Sequence, residues 1–251
     1  MTRALIDGDI LVYSVGFSTE DESEEAAILK MDSRIDEITF NCGASDYVVY
    51  LSDNLRNFRK GLFPAYKAHR HQPKPKHYKA LREYLINVEG AEVADNQEAD
   101  DLLGINQDKV GALDLRIDDR VADVSYDTII CSIDKDLLMV EGWHYNWNRD
   151  TVVEITKADG LKNFYRQLLT GDATDNIPGI YGVGPVKANA LLEGCETEVQ
   201  YNKVVLAAYK EYFDRCSEED VIAHINIIGK LLYIRRQPEE VWTFDVDTRK
   251  D

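Results

Sequence analysis

No run of apolar residues in this chain is long enough to cross a bilayer, so a membrane-spanning helix is not expected. Cysteine is sparse. Cys42, Cys131, Cys195 and Cys216 lie far apart with no CxxC pair, which argues against zinc and against a disulfide framework and for buried, reduced thiols. Internal repeats and long low-complexity linkers are missing too. The opening, MTRALIDGDI, turns acidic too early for a secretory signal, so the chain is expected to stay in the cytosol where it is made. Positive charge is also in deficit. A formal net charge of −17 argues at first sight against a nucleic-acid partner, because phosphate binding draws on cations.

The distribution of charge matters more than its sum. Residues 64–82, PAYKAHRHQPKPKHYKALR, hold Lys67, Arg70, Lys74, Lys76, Lys79 and Arg82 without a single acid. Residues 83–137 hold four basic residues against fifteen acidic ones. A charge run on its own is ordinarily a solvated face. A basic segment facing an acidic centre, however, is what a metal-dependent enzyme acting on phosphates needs.

At 251 residues, 44% of them hydrophobic, the chain can bury a full core. Apolar runs at 4–6 (ALI), 47–51 (YVVYL) and 128–133 (TIICSI) read as buried parallel strands. Ile28, Met31, Ile35 and Ile38 recur at helical spacing between them, as do Tyr78, Leu81, Leu85 and Val88. The fold class is therefore α/β, a mostly parallel sheet with helices on both faces, followed by a helical C-terminal half. Residues 142–155 read as a hairpin turning at Asn148–Asp150, and helices are expected at 158–169, 186–192, 198–214 and 218–235. The division expected is a core over 1–155 and a helical region over 156–251, packed together. Residues 106–123 have weak periodicity and no assigned element.

Acids recur where these strands end. Asp7 follows the first, Asp53 the second, and Asp134 and Asp136 the third. In open α/β sheets, sites form beyond the carboxyl ends of the strands. The stretch NQEADDLLG adds Glu98, Asp100 and Asp101 at the start of a helix. Acids favour a first helical turn for the dipole alone, which is the bland reading of that stretch. If the helix begins at the same sheet edge, Glu98 and Asp101 share a face. Asp172 and Asp175 follow in TGDATDNIPG. Carboxylates converging without lysines raise one another's pKa and call for hard divalent ions, Mg²⁺ or Mn²⁺, with a pair of ions suited to phosphodiester hydrolysis. Next comes NIPGIYGVGPVKANALL. Gly179, Gly182 and Gly184 punctuate a turn, and Pro185 opens a helix carrying Lys187, a backbone-amide cradle for phosphate that positions without reading sequence.

Seven pieces in order, LIDGD, YVVYLSD, FPAYKAHR, EADDLL, CSIDKDLL, TGDATDNIPG and GIYGVGPVKA, resemble the 5′ nuclease or flap endonuclease family. Its compact phage and bacterial 5′–3′ exonucleases and the 5′ nuclease domain of DNA polymerase I are the nearest types, and the likeness covers roughly residues 3–192. The resemblance implies a structure-specific nuclease acting on DNA with a 5′ end or 5′ flap, with removal of RNA from hybrids as a further activity, and a monomer. Asp7, Asp53, Glu98, Asp100 and Asp101 would surround one metal, and Asp134, Asp136, Asp172 and Asp175 the second. Lys67 and Arg70 would meet the scissile phosphate, with Tyr66 stacking on a terminal base. Residues 64–95 would form a basic arch, Lys74, Lys76 and Lys79 contacting DNA. The helix–loop–helix at 171–192, with Gly182, Gly184 and Lys187, would clamp duplex and hold K⁺. Asp9 is extra beside Asp7, and reads as a supporting or surface acid. Two rival readings are a PIN-like ribonuclease, which lacks the arch and the glycine clamp, and a catalytically silent DNA-binding protein, which would lose acids or the lysine.

Overall fold

The three apolar runs are strands, and they lie side by side. The structure is a computed structural model describing residues 2–70, 73–109 and 128–245. Along the chain run β1 (Arg3–Asp7), α1 (Gly8–Ser18), α2 (Glu24–Asn41), β2 (Asp46–Leu51), α3 (Phe58–Leu62) and α4 (Tyr78–Asn87). Then come β3 (Glu92–Val93), α5 (Ala99–Lys109), β4 (Thr128–Cys131), β5 (Gly142–Asn146) and β6 (Thr151–Ile155). The C-terminal part holds α6 (Lys157–Thr170), β7 (Gly171–Asp172), β8 (Ile177–Pro178), α7 (Pro185–Leu191), α8 (Glu198–Tyr212) and α9 (Glu218–Leu232). From residue 110 the weakly periodic stretch 106–123 lies outside the described residues, as do residues 71 and 72 of the expected arch. None of the described helices is long and apolar enough to cross a membrane.

The chain divides into two compact units. The first comprises Met1–Asn57, Gln72–Ile155 and Ile234–Pro238. Its sheet has the order β3-β2-β1-β4-β5-β6, parallel except for β6, which returns from β5 as the expected hairpin. β1 is central, and Ala4, Leu5 and Ile6 are buried completely or nearly so, because both faces of a parallel sheet are covered by helices. Met31, Ile35 and Ile38 of α2 and Leu81 and Leu85 of α4 pack into the same core. Gly8 lets α1 start hard against β2: a Cβ there would lie 2.7 Å from the Tyr50 carbonyl oxygen.

The expected arch is corrected in its second half. α4 is built into the core of this unit, and β3 pairs in parallel with β2. Burial of Leu81 and Leu85 outweighs the exposure that a run of lysines suggests.

The second unit comprises Phe58–His71, Thr156–Tyr233 and Glu239–Asp251, so α3 and the residues after it group with the helical half and not with the sheet. Arg59 shows why. Its side chain is buried, its Nε donates to the Leu231 carbonyl (2.9 Å) and its Nη2 to the Tyr233 carbonyl (2.9 Å). The last turn of α9 leaves carbonyls without intrahelical partners, and Arg59 satisfies them. Phe164 packs edge-on against Tyr233 and Trp242, and Gly229 makes room for the Trp242 ring. The helices start on side-chain caps: Thr156 for α6, Thr197 with Gln200 in a capping box for α8, and Ser217 for α9.

Arg59→Met keeps most of the side-chain volume and removes both donors. It is expected to destabilise the protein by roughly 2–5 kcal/mol, since buried carbonyls lose charged partners. Urea denaturation followed by circular dichroism measures this, and a change within error would mean water replaces the guanidinium without loss.

Candidate active site

β1 ends on Asp7, which also caps α1: its Oδ1 accepts the Ile10 N–H (3.1 Å). Its Oδ2 accepts the Ser132 hydroxyl (2.8 Å), and that hydroxyl oxygen accepts in turn the Asp134 N–H (3.0 Å). Asp134 Oδ1 then receives the Asp136 N–H (2.9 Å). Ser132 thus joins the end of the central strand to the acidic turn after β4. Burial pushes the Asp7 carboxyl up to about 7; the charges of Asp9 and Asp134 push the same way, and the Ile10 and Ser132 hydrogen bonds pull against them.

The neighbouring strand end behaves differently. Asp53 Oδ1 accepts the N–H groups of Leu55 (2.8 Å) and Arg56 (3.1 Å), and its Oδ2 accepts the Asn96 N–H (3.2 Å) and Arg56 Nε (3.1 Å). The Leu55 N–H foremost, with these other donors, holds this carboxyl down to about 2. Next to it, the Ser52 hydroxyl accepts the Ala99 N–H (2.9 Å), and the Asp53 N–H donates to the Gln97 carbonyl (3.3 Å). The N-terminus of α5 is therefore pinned to the end of β2, and Glu98, Asp100 and Asp101 arrive at the same sheet edge. Asp101 is fully buried; its Oδ2 accepts the Glu98 N–H and its Oδ1 the Arg235 N–H, both at 3.2 Å.

In the second unit, Asp175 gathers the residues singled out in FPAYKAHR. Tyr66 donates its hydroxyl to Asp175 Oδ2 (3.0 Å), Lys67 Nζ lies 3.4 Å from the same oxygen, and Arg70 pairs with Oδ1 while donating to the Thr174 carbonyl (3.3 Å). Lys67 itself has a left-handed backbone, φ +55°, and its N–H donates to the Asp175 carbonyl (2.9 Å). Asp172 is buried in the short β7–β8 pair, its Oδ1 accepting the Thr174 N–H (2.7 Å). Gly171, at φ +65°, ends α6 and opens this hairpin, where a Cβ would run into the backbone of Gly179.

The expectation for Tyr66 is corrected: only 2% of it is exposed, so the ring has no free face for a base, and its hydroxyl serves Asp175. Lys76 is exposed and also has a structural part. Its Nζ donates to the carbonyls of Glu20 (3.3 Å) and Glu22 (3.0 Å), and its N–H to the Glu20 carboxylate (3.0 Å), so it fastens the segment before α4 to the loop after α1. Lys74 lies over the Tyr78 ring (4.0 Å) and Lys79 sits 3.6 Å from Glu83 on the exposed face of α4. Around the glycine turn, Tyr181, Gly182, Gly184, Val186 and Lys187 are exposed, and Gly184 caps α7 with Pro185 at its first position.

Donor chemistry at the sheet edge suits a hard divalent ion: carboxylate oxygens, one of them buried and held near neutrality by burial and by neighbouring acids. Among the described residues, though, no three Asp, Glu, His or Cys side chains stand close enough together to hold an ion. Asp53 accepts two donors on each oxygen, whereas Asp7 accepts one on each, so an ion would find more free lone pairs at Asp7 than at Asp53.

No family model matches the chain. The flap endonuclease Xni of Shewanella sp. (strain MR-4) is 26% identical over 213 residues, covering 77% of this chain and 75% of that protein. The DNA polymerase I of Rhizobium leguminosarum is 31% identical over 154 residues, which are 56% of this chain and 14% of the polymerase. Among solved structures, a bacteriophage T5 flap endonuclease in a pseudo-enzyme–product complex with DNA and metal ions superimposes with a TM-score of 0.68 at 15% identity, over 93% of this chain and 91% of that one. The chain is thus similar in sequence to flap endonucleases and to the DNA polymerase I of Rhizobium leguminosarum, and in fold to a phage flap endonuclease. It spans about a seventh of the polymerase relative and three-quarters of the stand-alone one.

Two residues at this edge gave little sign of themselves in the sequence: Ser132, a lone hydroxyl just past a strand, and Arg82, counted with the basic run. Arg82 carried a signal, because it falls on the apolar face of α4 beside Leu81 and Leu85.

A carboxyl whose folded-state pKa lies above its unfolded value adds stability below the unfolded pKa and loses it as pH rises through the folded one. For Asp7 that window runs from about 4 to about 7. Metal-free protein is therefore expected to lose stability across it, by an amount on the order of a few kcal/mol. Asp7→Asn, which preserves the Ile10 cap, should flatten the loss. Denaturation in EDTA at pH 4 to 8 checks this; parallel curves for both proteins would refute the burial argument.

Proposed function

We propose that the chain is a divalent-metal-dependent, structure-specific 5′ nuclease that hydrolyses phosphodiester bonds of DNA, trimming 5′ ends and cutting 5′ flaps. The observation that carries this reading is the buried Asp7 carboxylate at the centre of an acid-lined sheet edge, joined through the Ser132 hydroxyl to the Asp134 turn. The names of the similar proteins support it: flap endonuclease, and a fold neighbour complexed with DNA and metal ions. Removal of RNA from hybrids and action as a monomer belong to the same proposal.

Within the first unit, the proposed ligands of Mg²⁺ or Mn²⁺ are Asp7, Asp53, Glu98, Asp100, Asp101, Asp134 and Asp136. Within the second they are Asp172 and Asp175, as the two-ion resemblance implies. Bound ions would supply a polarised water and neutralise the leaving oxygen. Ser132 orients Asp7 and holds the Asp134 turn. Lys67 and Arg70 stabilise charge that grows on the phosphate. Both already pair with Asp175, so a phosphate oxygen must compete with a carboxylate to reach them. The exposed turn at Gly182 and Gly184, with Lys187, is proposed to hold the duplex backbone and K⁺ without reading sequence.

The test is digestion of end-labelled flap, nicked and blunt duplexes with Mg²⁺, with product sizing. Asp134→Asn is expected to abolish cutting, and full activity in that purified variant would refute the metal assignment. Lys67→Ala should keep DNA affinity, measured in Ca²⁺, within roughly tenfold while its single-turnover rate falls at least about a hundredfold. A normal rate once bound would reduce Lys67 to part of the positive surface. Lys187→Ala should weaken duplex affinity and lower the salt slope by about one phosphate contact, with saturated cleavage little changed. Unchanged affinity and slope would remove it from the clamp.

A further inference from the structure

Arg82 is a cation placed where it should do harm. It lies inside the first unit with 8% of its side chain exposed, close to the acids proposed to bind divalent ions. A fixed positive charge there opposes an incoming cation. Its hydrogen bonds show what it does instead. Nη1 donates to Asp9 Oδ1 (3.0 Å) and Nη2 to the Ser52 carbonyl (2.6 Å). Asp9 Oδ2 accepts the Ser52 N–H (3.0 Å), closing a ring of Arg82, Asp9 and Ser52. The Ser52 hydroxyl then accepts the Ala99 N–H (2.9 Å) at the start of α5.

Each partner borders an acid of the site. Asp9 is in the first turn of α1, two residues after Asp7; Ser52 precedes Asp53; Ala99 follows Glu98. One guanidinium reaching from α4 thus joins three elements that carry acids to the edge. A planar fork serves both acceptors at once, which a lysine ammonium on its flexible stem does less well. The pair also accounts for Asp9: its charge is spent on Arg82, and both its oxygens are occupied.

We infer that Arg82, held by Asp9, is a positioning residue for the acidic sheet edge, setting the register of Asp7, Asp53 and Glu98 so that the edge can take up divalent ions. The inference rests on the nuclease reading, in which that edge binds metal.

Position and charge predict opposite signs. Removing a nearby cation should tighten Mn²⁺ binding if only electrostatics act, and weaken it if Arg82 sets geometry. The experiment measures free Mn²⁺ by electron paramagnetic resonance during titration of the whole protein without DNA. It compares wild type, Arg82→Gln, Arg82→Lys and Asp9→Asn, with folding checked by circular dichroism and thermal midpoints taken in EDTA. Arg82→Gln is expected to bind Mn²⁺ at least about tenfold more weakly while folded, the scale found when groups supporting metal ligands are removed. Arg82→Lys should recover part of the loss, and Asp9→Asn should weaken binding too. Unchanged or tighter Mn²⁺ binding by folded Arg82→Gln overturns the inference, whatever happens to its midpoint. Should Arg82→Gln not fold, Asp9→Asn and Ser52→Ala decide it: normal Mn²⁺ affinity in both overturns the inference, and weaker affinity in both supports it. A wild type that binds no Mn²⁺ overturns the nuclease reading itself and the inference with it, an outcome distinct from normal binding by the variants.

Discussion

Asp7 holds a carboxyl group where water barely reaches, and the first unit is arranged around that fact. β1 is the middle strand of a parallel sheet, so its last residue emerges between two neighbours, with a helix starting directly above it. Ionising Asp7 there is costly, and the Asp9 and Asp134 charges add to the cost. The surroundings offset only part of it: the Ile10 N–H at the positive end of α1, the Ser132 hydroxyl, and Arg82 taking up the charge of Asp9. What remains uncompensated is the charge that the proposed cation would neutralise.

In the second unit the same problem has a different solution. Asp175 is matched within the unit by Tyr66, Lys67 and Arg70, and the left-handed backbone at Lys67 lets both its N–H and its ammonium face the same residue. Ion pairs of this kind are modest in energy where water has access. Their effect is to hold the two cations in place, already oriented toward an oxygen anion.

Much of this was legible before any coordinates. Parallel strands are buried on both faces and therefore read as unbroken apolar runs, which is why 4–6, 47–51 and 128–133 stood out. Their acids fall just past the runs, and parallel neighbours put those ends on one edge. Errors came where composition stood in for partners. Tyr66 looked like a stacking surface, yet it is buried under its own hydrogen bond to Asp175. The expected arch reaches too far although the apolar period of α4 is legible, because burial of Leu81 and Leu85 in the core is a matter of tertiary contacts.

The sequence by itself determined the α/β order, the sheet edge that receives the acids, the glycine turn and the family likeness, because these depend on periodicity and on residue types at fixed local spacing. Only the tertiary structure decided which carboxylates are spent. Asp53 looks the same as Asp7 on paper, but four donors, one of them the distant Asn96 N–H, crowd its oxygens, while buried Asp7 accepts one hydrogen bond on each oxygen. Likewise it decided that Arg82 belongs to the acidic edge and Arg59 to the end of α9. A charge's role depends on which groups meet it and how much water remains, and both are set by contacts between residues far apart along the chain.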